Sequence, residues 1–150
     1  MNIDGTAREL VEILLVEDNP VDVLVTKEAI QNDSDRIRLT VLDDGKEALD
    51  YLYKRGNYEE AARPHLILLD LNVPKKDGKE ILEEIKQDTL LLDIPVIILT
   101  TSESDTDVAM TYALHANCFV SKPAHFDEYL KVLRSIVDFW VTIARLPEKY

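Results

Sequence analysis

The sequence predicts an α/β protein: a doubly wound, five-stranded parallel sheet covered by five helices, with an extended C-terminal helix. Two observations carry this. Apolar runs of strand length alternate with segments of helical period five times along the chain, the pattern of strand-helix units whose strands lie parallel between two helical layers. The central runs, such as Ile13-Leu14-Leu15-Val16, are continuously apolar, as strands buried on both faces must be. At 150 residues the chain is one domain by size, expected over 11–145 with short tails at 1–10 and 146–150. No stretch rich in Pro, Gly or Ser divides it, and no second domain fits after the last helix.

The elements follow in order. Ile13 to Val16 is the first strand. Asn19 is a helix cap, Pro20 suits the first helical position and Asp22 lies in the first turn, so a helix should run from Pro20 to Gln31. Arg36 to Leu42 alternates and reads as a less buried strand. Asp44-Gly45-Lys46-Glu47 has capping-box spacing and opens a helix towards Tyr53. His65 to Leu69 is a buried strand ending at Asp70, and Asp77-Gly78-Lys79-Glu80 opens the next helix with the same capping logic. Pro95 to Leu99 is a strand ending at Thr100, and Ser102 or Ser104 caps a helix to about His115. Cys118 to Val120 is a short last strand. The final helix should run unbroken from Phe126 to about Arg145.

Composition narrows the function. The formal net charge is -12 and no basic stripe is present, which argues against nucleic acid as a partner. One cysteine, Cys118, excludes an intrachain disulfide; set in Cys118-Phe119-Val120 it reads as a small buried hydrophobe. Nothing resembles a signal peptide, and no window has the apolar length of a membrane span. The expectation is a cytoplasmic protein without membrane insertion.

In an open α/β sheet, ligands bind beyond the carboxyl ends of the strands. There the sequence places Glu17 and Asp18 after the first run, Asp70 after the third, Thr100 and Thr101 after the fourth and Lys122 after the fifth. Taken singly, each acid reads as a helix cap or a turn residue. Taken together, three carboxylates, a hydroxyl and an ammonium converge on one edge. Carboxylates so placed repel one another unless a cation intervenes, and oxygen ligands suit a hard cation such as Mg2+, which takes one or two carboxylates and keeps several waters. Asp18 and Asp70 are the candidate direct ligands, with Glu17 holding a water. An ionised Asp70 is also a nucleophile able to accept a phosphoryl group. Lys122 would offer a point charge to the product, and Thr100 a hydrogen bond.

These residues resemble the receiver domains of two-component response regulators, over about Val11 to Trp140. Leu68-Leu69-Asp70-Leu71-Asn72-Val73-Pro74-Lys75-Lys76-Asp77-Gly78 is similar to the family's phosphorylation loop. The resemblance implies a flavodoxin-like receiver fold, with Asp70 phosphorylated by a sensor histidine kinase. It also implies Glu17 and Asp18 as the metal-binding acidic pair and Asn72 as a backbone-carbonyl ligand. Thr100 would be the switch hydroxyl, Phe119 the aromatic switch position, and Lys122 the paired lysine, joined to Pro123 by a cis bond. Departures are Glu17 in place of Asp, Phe119 where Tyr is frequent, and Thr101 where Ala or Gly is usual; Thr101 and Ser102 are therefore modulating positions. A narrower likeness runs through Arg63-Pro64, Leu99-Thr100-Thr101-Ser102, Phe139-Trp140 and Leu146-Pro147. It is to the small regulators paired with bacterial phytochromes, and it implies a light-sensing kinase as partner.

A helix from Phe126 to Arg145 would be about 30 Å long and carries two apolar stripes. One is Phe126, Leu130, Leu133, Val137, Trp140 and Ala144; the other is Tyr129, Val132, Ile136, Phe139 and Ile143. If the first covers the sheet, the second is an exposed patch of the kind that marks an interface, which predicts a homodimer through Tyr129, Val132, Ile136, Phe139 and Ile143. The competing reading is one broad face buried within the protomer. The expectation is a phosphorylation switch, not an enzyme, signalling by protein-protein contact to an unnamed target. The rivals are a non-switching dimeric scaffold and a magnesium-dependent aspartyl phosphatase; the second is disfavoured because Asn72 stands where such enzymes carry an acid/base Asp.

Overall fold

The computed structural model describes residues 10–148. Five parallel strands form one sheet in the order β2-β1-β3-β4-β5: β1 Val11–Val16, β2 Ile37–Leu42, β3 Leu66–Leu69, β4 Val96–Thr100 and β5 Cys118–Ser121. The helices are α1 Pro20–Ile30, α2 Gly45–Leu52, α3 Gly78–Gln87, α4 Asp105–Ala113 and α5 Phe126–Val137. This is the doubly wound arrangement the alternation predicts, in the flavodoxin-like order the resemblance implies.

Side chains of a strand point alternately to the two faces, and the three central strands obey this strictly. Ile13 and Leu15, Leu66 and Leu68, and Ile97 and Leu99 join α1 and α5 in one core, through Val25, Ala29, Ile30, Leu133 and Val137. Leu14 and Val16, Ile67 and Leu69, and Val96 and Ile98 join α2 and α3 in the other, through Ala48, Leu49, Leu52, Ile81, Leu82 and Ile85. Both cores are built of buried apolar side chains, so the loops at the carboxyl edge of the sheet are held from below. The chain leaves β1 for β2 on one side and for β3 on the other, which opens a crevice between the ends of β1 and β3.

Capping explains most helix starts. The Asn19 side chain accepts from the amides of Val21 and Asp22, and Pro20 occupies the first helical position. At Asp77 the full reciprocal box forms with Glu80. The second Asp-Gly-Lys-Glu differs: Asp44 accepts from the Glu47 amide at 2.7 Å, without the reciprocal bond seen at Asp77. The two glycines that follow these caps serve close packing. A Cβ on Gly78 would lie 2.5 Å from the Asp70 carbonyl oxygen, and one on Gly45 would collide with the Lys76 carbonyl oxygen. The loop after β3 is thereby clamped between the starts of α2 and α3.

The C-terminal segment departs from expectation. The α-helix stops at Val137, and Asp138–Ile143 forms a wider π-helical turn, in which the Ala144 amide donates to the Phe139 carbonyl five residues back at 2.7 Å. The wider turn resets the helical phase. Trp140 and Val141 then pack on the α1/α5 core, and the Thr142 hydroxyl reaches Arg36 at 3.2 Å. The two predicted stripes accordingly do not separate into an inner and an outer face. Tyr129 and Ile136 are buried in the protomer core and Val132 packs against it, so these three do not form the exposed interface the sequence predicts. Of that set only Phe139, 49 % exposed, and Ile143, 65 % exposed, face outward; Phe126, assigned to the inner stripe, is 53 % exposed. The Lys122-Pro123 bond is also not cis, since the described residues contain no cis peptide; trans is the lower-energy isomer even before proline.

Candidate functional site

β1, β3 and β5 each deliver the residue after their last to the crevice with its amide already paired. The Glu17 amide donates to Leu42, that of Asp70 to Val16 and that of Lys122 to Thr100, at 2.7–3.0 Å. Ladder bonds therefore continue one residue past the strands, and the side chains project from a fixed edge.

At that edge the Lys122 ammonium sits among three carboxylates. It donates to Glu17 Oε1 at 2.6 Å, to Asp22 Oδ2 at 2.8 Å and to Asp70 Oδ2 at 2.9 Å. The other oxygens of the strand-end acids are met by backbone. Glu17 Oε2 accepts from the Asn19 amide at 3.2 Å, and Asp70 Oδ1 from the Asn72 amide at 3.1 Å. Asp70 is thus buried, oriented and hydrogen-bonded on both oxygens, facing an ammonium. Asp18 is exposed beside them.

The electrostatics are unbalanced. Glu17, Asp22 and Asp70 all bind one ammonium, and Asp18 lies beside Glu17 and Asp70. Burial pushes the Glu17 carboxyl up to about 7; Lys122 opposes the rise and the Asp70 charge adds to it. Burial alone would lower the Lys122 ammonium, but its bonds to Asp22, Glu17 and Asp70 outweigh that and hold it above the ordinary lysine range. One oxygen each from Glu17, Asp18 and Asp70 lies within 4.8 Å of the others. An all-oxygen set in surplus over its counter-charge is what a hard divalent cation requires, so the donor chemistry fits a metal.

The remaining predicted residues take varied places. Thr100 is fully buried, its hydroxyl accepting from the Ser102 amide at 3.4 Å. Thr101 is exposed. Ser102 does not cap α4; Ser104 does, accepting from the Asp107 amide. The Ser102 hydroxyl instead donates to Asp107 at 2.6 Å, and the other oxygen of Asp107 accepts from Lys79 of α3 at 2.6 Å. Phe119 is half-buried against the α2/α3 core, and its amide donates to the Tyr112 hydroxyl at 3.1 Å. Tyr129 lies inward on the core behind the site, and burial pushes its hydroxyl up.

Asp22 is the residue that sequence reasoning missed. In the sequence it is only a first-turn acid of α1, where a carboxylate also complements the helix dipole. The available signal was positional: a helix that begins four residues after a strand end projects its first turn over the same edge.

Comparison with known proteins agrees with this geometry. Residues 13–134 match the family model described as the response regulator receiver domain. The response regulator Rcp1 of Synechocystis sp. is 44 % identical over 135 residues, which is 90 % of this chain and 92 % of that protein. The crystal structure of the phosphorylated cyanobacterial phytochrome response regulator RcpA superposes with a TM-score of 0.90 at 43 % identity, covering 93 % of this chain and 99 % of the other. The Mn2+-bound form of response regulator Rcp1 matches with the same score and identity over 92 % of this chain and 99 % of that one. An acidic edge with a paired lysine, on a 2-1-3-4-5 sheet with this degree of likeness, makes the chain a member of the response regulator receiver family, closely related to the phytochrome response regulators.

Proposed function

We propose that the chain is a phosphorylation switch in which Asp70 accepts a phosphoryl group from a sensor histidine kinase, a phytochrome-type light sensor being the partner its relatives suggest. The single observation that carries this is Asp70 itself, buried and held between the Asn72 amide and the Lys122 ammonium at the switch point of the sheet. An Asp70 oxygen forms the new bond to phosphorus as the phosphohistidine P–N bond breaks, and the imidazole leaves with the electron pair. Mg2+ held by Glu17, Asp18 and Asp70, with the Asn72 carbonyl, would supply positive charge to the transferring group. The chain's own residues do the rest. The Asn72 amide orients the carboxylate, and Lys122 offers its charge to the added oxygens.

Thr100 is the switch hydroxyl of this reading. Moving it towards a phosphoryl oxygen exchanges the long bond from the Ser102 amide for a charge-assisted one. That exchange would loosen the loop before α4, change the setting of Phe119, and alter the surface offered to a protein target in the cytoplasm. Thr101 and Ser102 line the same loop and would tune it. A homodimer would use the outward end of the C-terminal segment, Phe139 and Ile143, in place of the longer stripe.

Incubation with acetyl phosphate and Mg2+, followed by intact-mass measurement, tests the reading. One phosphoryl adduct should form, and it should vanish in Asp70→Asn. A wild-type chain that takes no adduct, or an adduct that survives Asp70→Asn, would overturn it.

A further inference from the structure

Lys122 has one partner that the phosphoacceptor cluster does not claim. An ammonium has three N–H donors, and all three are used, on Glu17, Asp22 and Asp70. Glu17 and Asp70 also belong to the set of oxygens suited to a cation. Asp22 does not. It enters from the first turn of α1, and its side chain is 19 % exposed.

Both ends of the Asp22–Lys122 pair are held firmly. Asn19 caps α1 by accepting from the Asp22 amide, and the Asp22 carbonyl accepts from the Thr26 hydroxyl at 2.9 Å. The Lys122 amide is bonded to Thr100 at 2.7 Å. The two backbones are thus set independently of the pair, and it is the ammonium at the end of the lysine side chain that the carboxylates hold. With a cation on the cluster, Glu17 and Asp70 would share their charge with it, and two positive groups would compete for the same oxygens. The Asp22 carboxylate alone would remain wholly available to the lysine.

Resting on the reading of Asp70 as phosphoacceptor, we propose that Asp22 is a positioning residue: it anchors the Lys122 ammonium beside Asp70, so that lysine and cation occupy one carboxylate cluster without displacing each other. Removing it leaves Lys122 to lean on Glu17 and Asp70, where it opposes the cation. Loss of such an outer-shell partner lowers metal affinity by about tenfold or more.

The test uses the full chain as wild type, Asp22→Asn and Asp22→Glu, with Mg2+ as the probe. Calorimetric titration should show Mg2+ binding about tenfold weaker in Asp22→Asn, with most of the loss recovered in Asp22→Glu. The isotope-labelled ammonium resonance of Lys122 should persist at saturating Mg2+ in the wild type and broaden or shift in Asp22→Asn. Labelling by acetyl phosphate should slow in parallel. Unchanged Mg2+ affinity in Asp22→Asn overturns the proposal. So does weaker Mg2+ binding with the Lys122 resonance undisturbed, because Asp22 would then act only as a charge. A wild type that takes no adduct, while the Mg2+ and resonance results hold, defeats the phosphoacceptor reading and leaves the positioning role standing.

Discussion

The carboxyl edge of the sheet and the C-terminal segment past Val137 are both put together from residues far apart, but by different physics. At the edge, charged groups are buried and find directional partners: Lys122 binds three acids, from the end of β1, the first turn of α1 and the end of β3, and the amides of Glu17, Asp70 and Lys122 are paired. The C-terminal segment is joined to the body by apolar packing of Trp140 and Val141 and one bond from Arg36 to Thr142, with Phe139 and Ile143 left outside. The first region should therefore respond to single substitutions with large, specific losses. The second should tolerate them and change only what the protein associates with.

The sharpest way to break this contrast is at Asp70. Asp70→Asn is expected to abolish the phosphoryl adduct completely while leaving a folded chain, read by intact mass and circular dichroism. Lys122→Met should follow in size. It strands buried carboxylates without their counter-charge, and losing one partner of a buried ion pair costs about 3–5 kcal/mol. Urea unfolding in a chelating buffer should show that loss, and Mg2+ should restore part of it. Next comes Gly78→Ala. Its Cβ would meet the Asp70 carbonyl oxygen at 2.5 Å and the Leu71 Cα at 2.6 Å, both backbone atoms that cannot swing aside, so a destabilisation of about 1–3 kcal/mol is expected together with slower phosphorylation.

At the other region, Phe139→Ser with Ile143→Ser should change the unfolding free energy by no more than about 0.5 kcal/mol, as exposed positions do. Sedimentation velocity should then show a wild-type dimer shifted towards monomer. A monomeric wild type at high concentration, with and without phosphorylation, would remove the dimer from the scheme. The smallest effect concerns Cys118, whose thiol burial pushes up, the Phe119 amide only partly opposing. A raised pKa means less thiolate at a given pH. Alkylation of the folded chain should therefore be slower than that of the unfolded chain at neutral pH, the gap narrowing as pH rises past the usual thiol range.

Much of the edge is readable from the sequence because strand ends are local events. Asp70 follows Leu66–Leu69, and a run buried on both faces must stop where its first charge appears. Asn19, Asp77 and Ser104 cap helices for reasons contained within four residues. The parallel order of the strands then brings Glu17, Asp70, Thr100 and Lys122 to one side without any pair needing to be known in advance. Ser102 shows where this stops. A serine before a helix can cap it or reach elsewhere, and only the presence of Asp107 and Lys79 decides.

Periodicity and capping along the chain set the alternation of elements, their approximate limits and the set of strand-end residues. The tertiary structure alone decided which acid completes the shell of Lys122, because Asp22 and Lys122 are 100 positions apart and no local pattern links them. It also decided which side of the last helix is free. Two stripes three or four residues apart can merge into one buried face or divide into two: the way α5 lies on α1 turned Tyr129 and Ile136 inward, and past the wide turn at Asp138–Ile143 Phe139 and Ile143 are left outside.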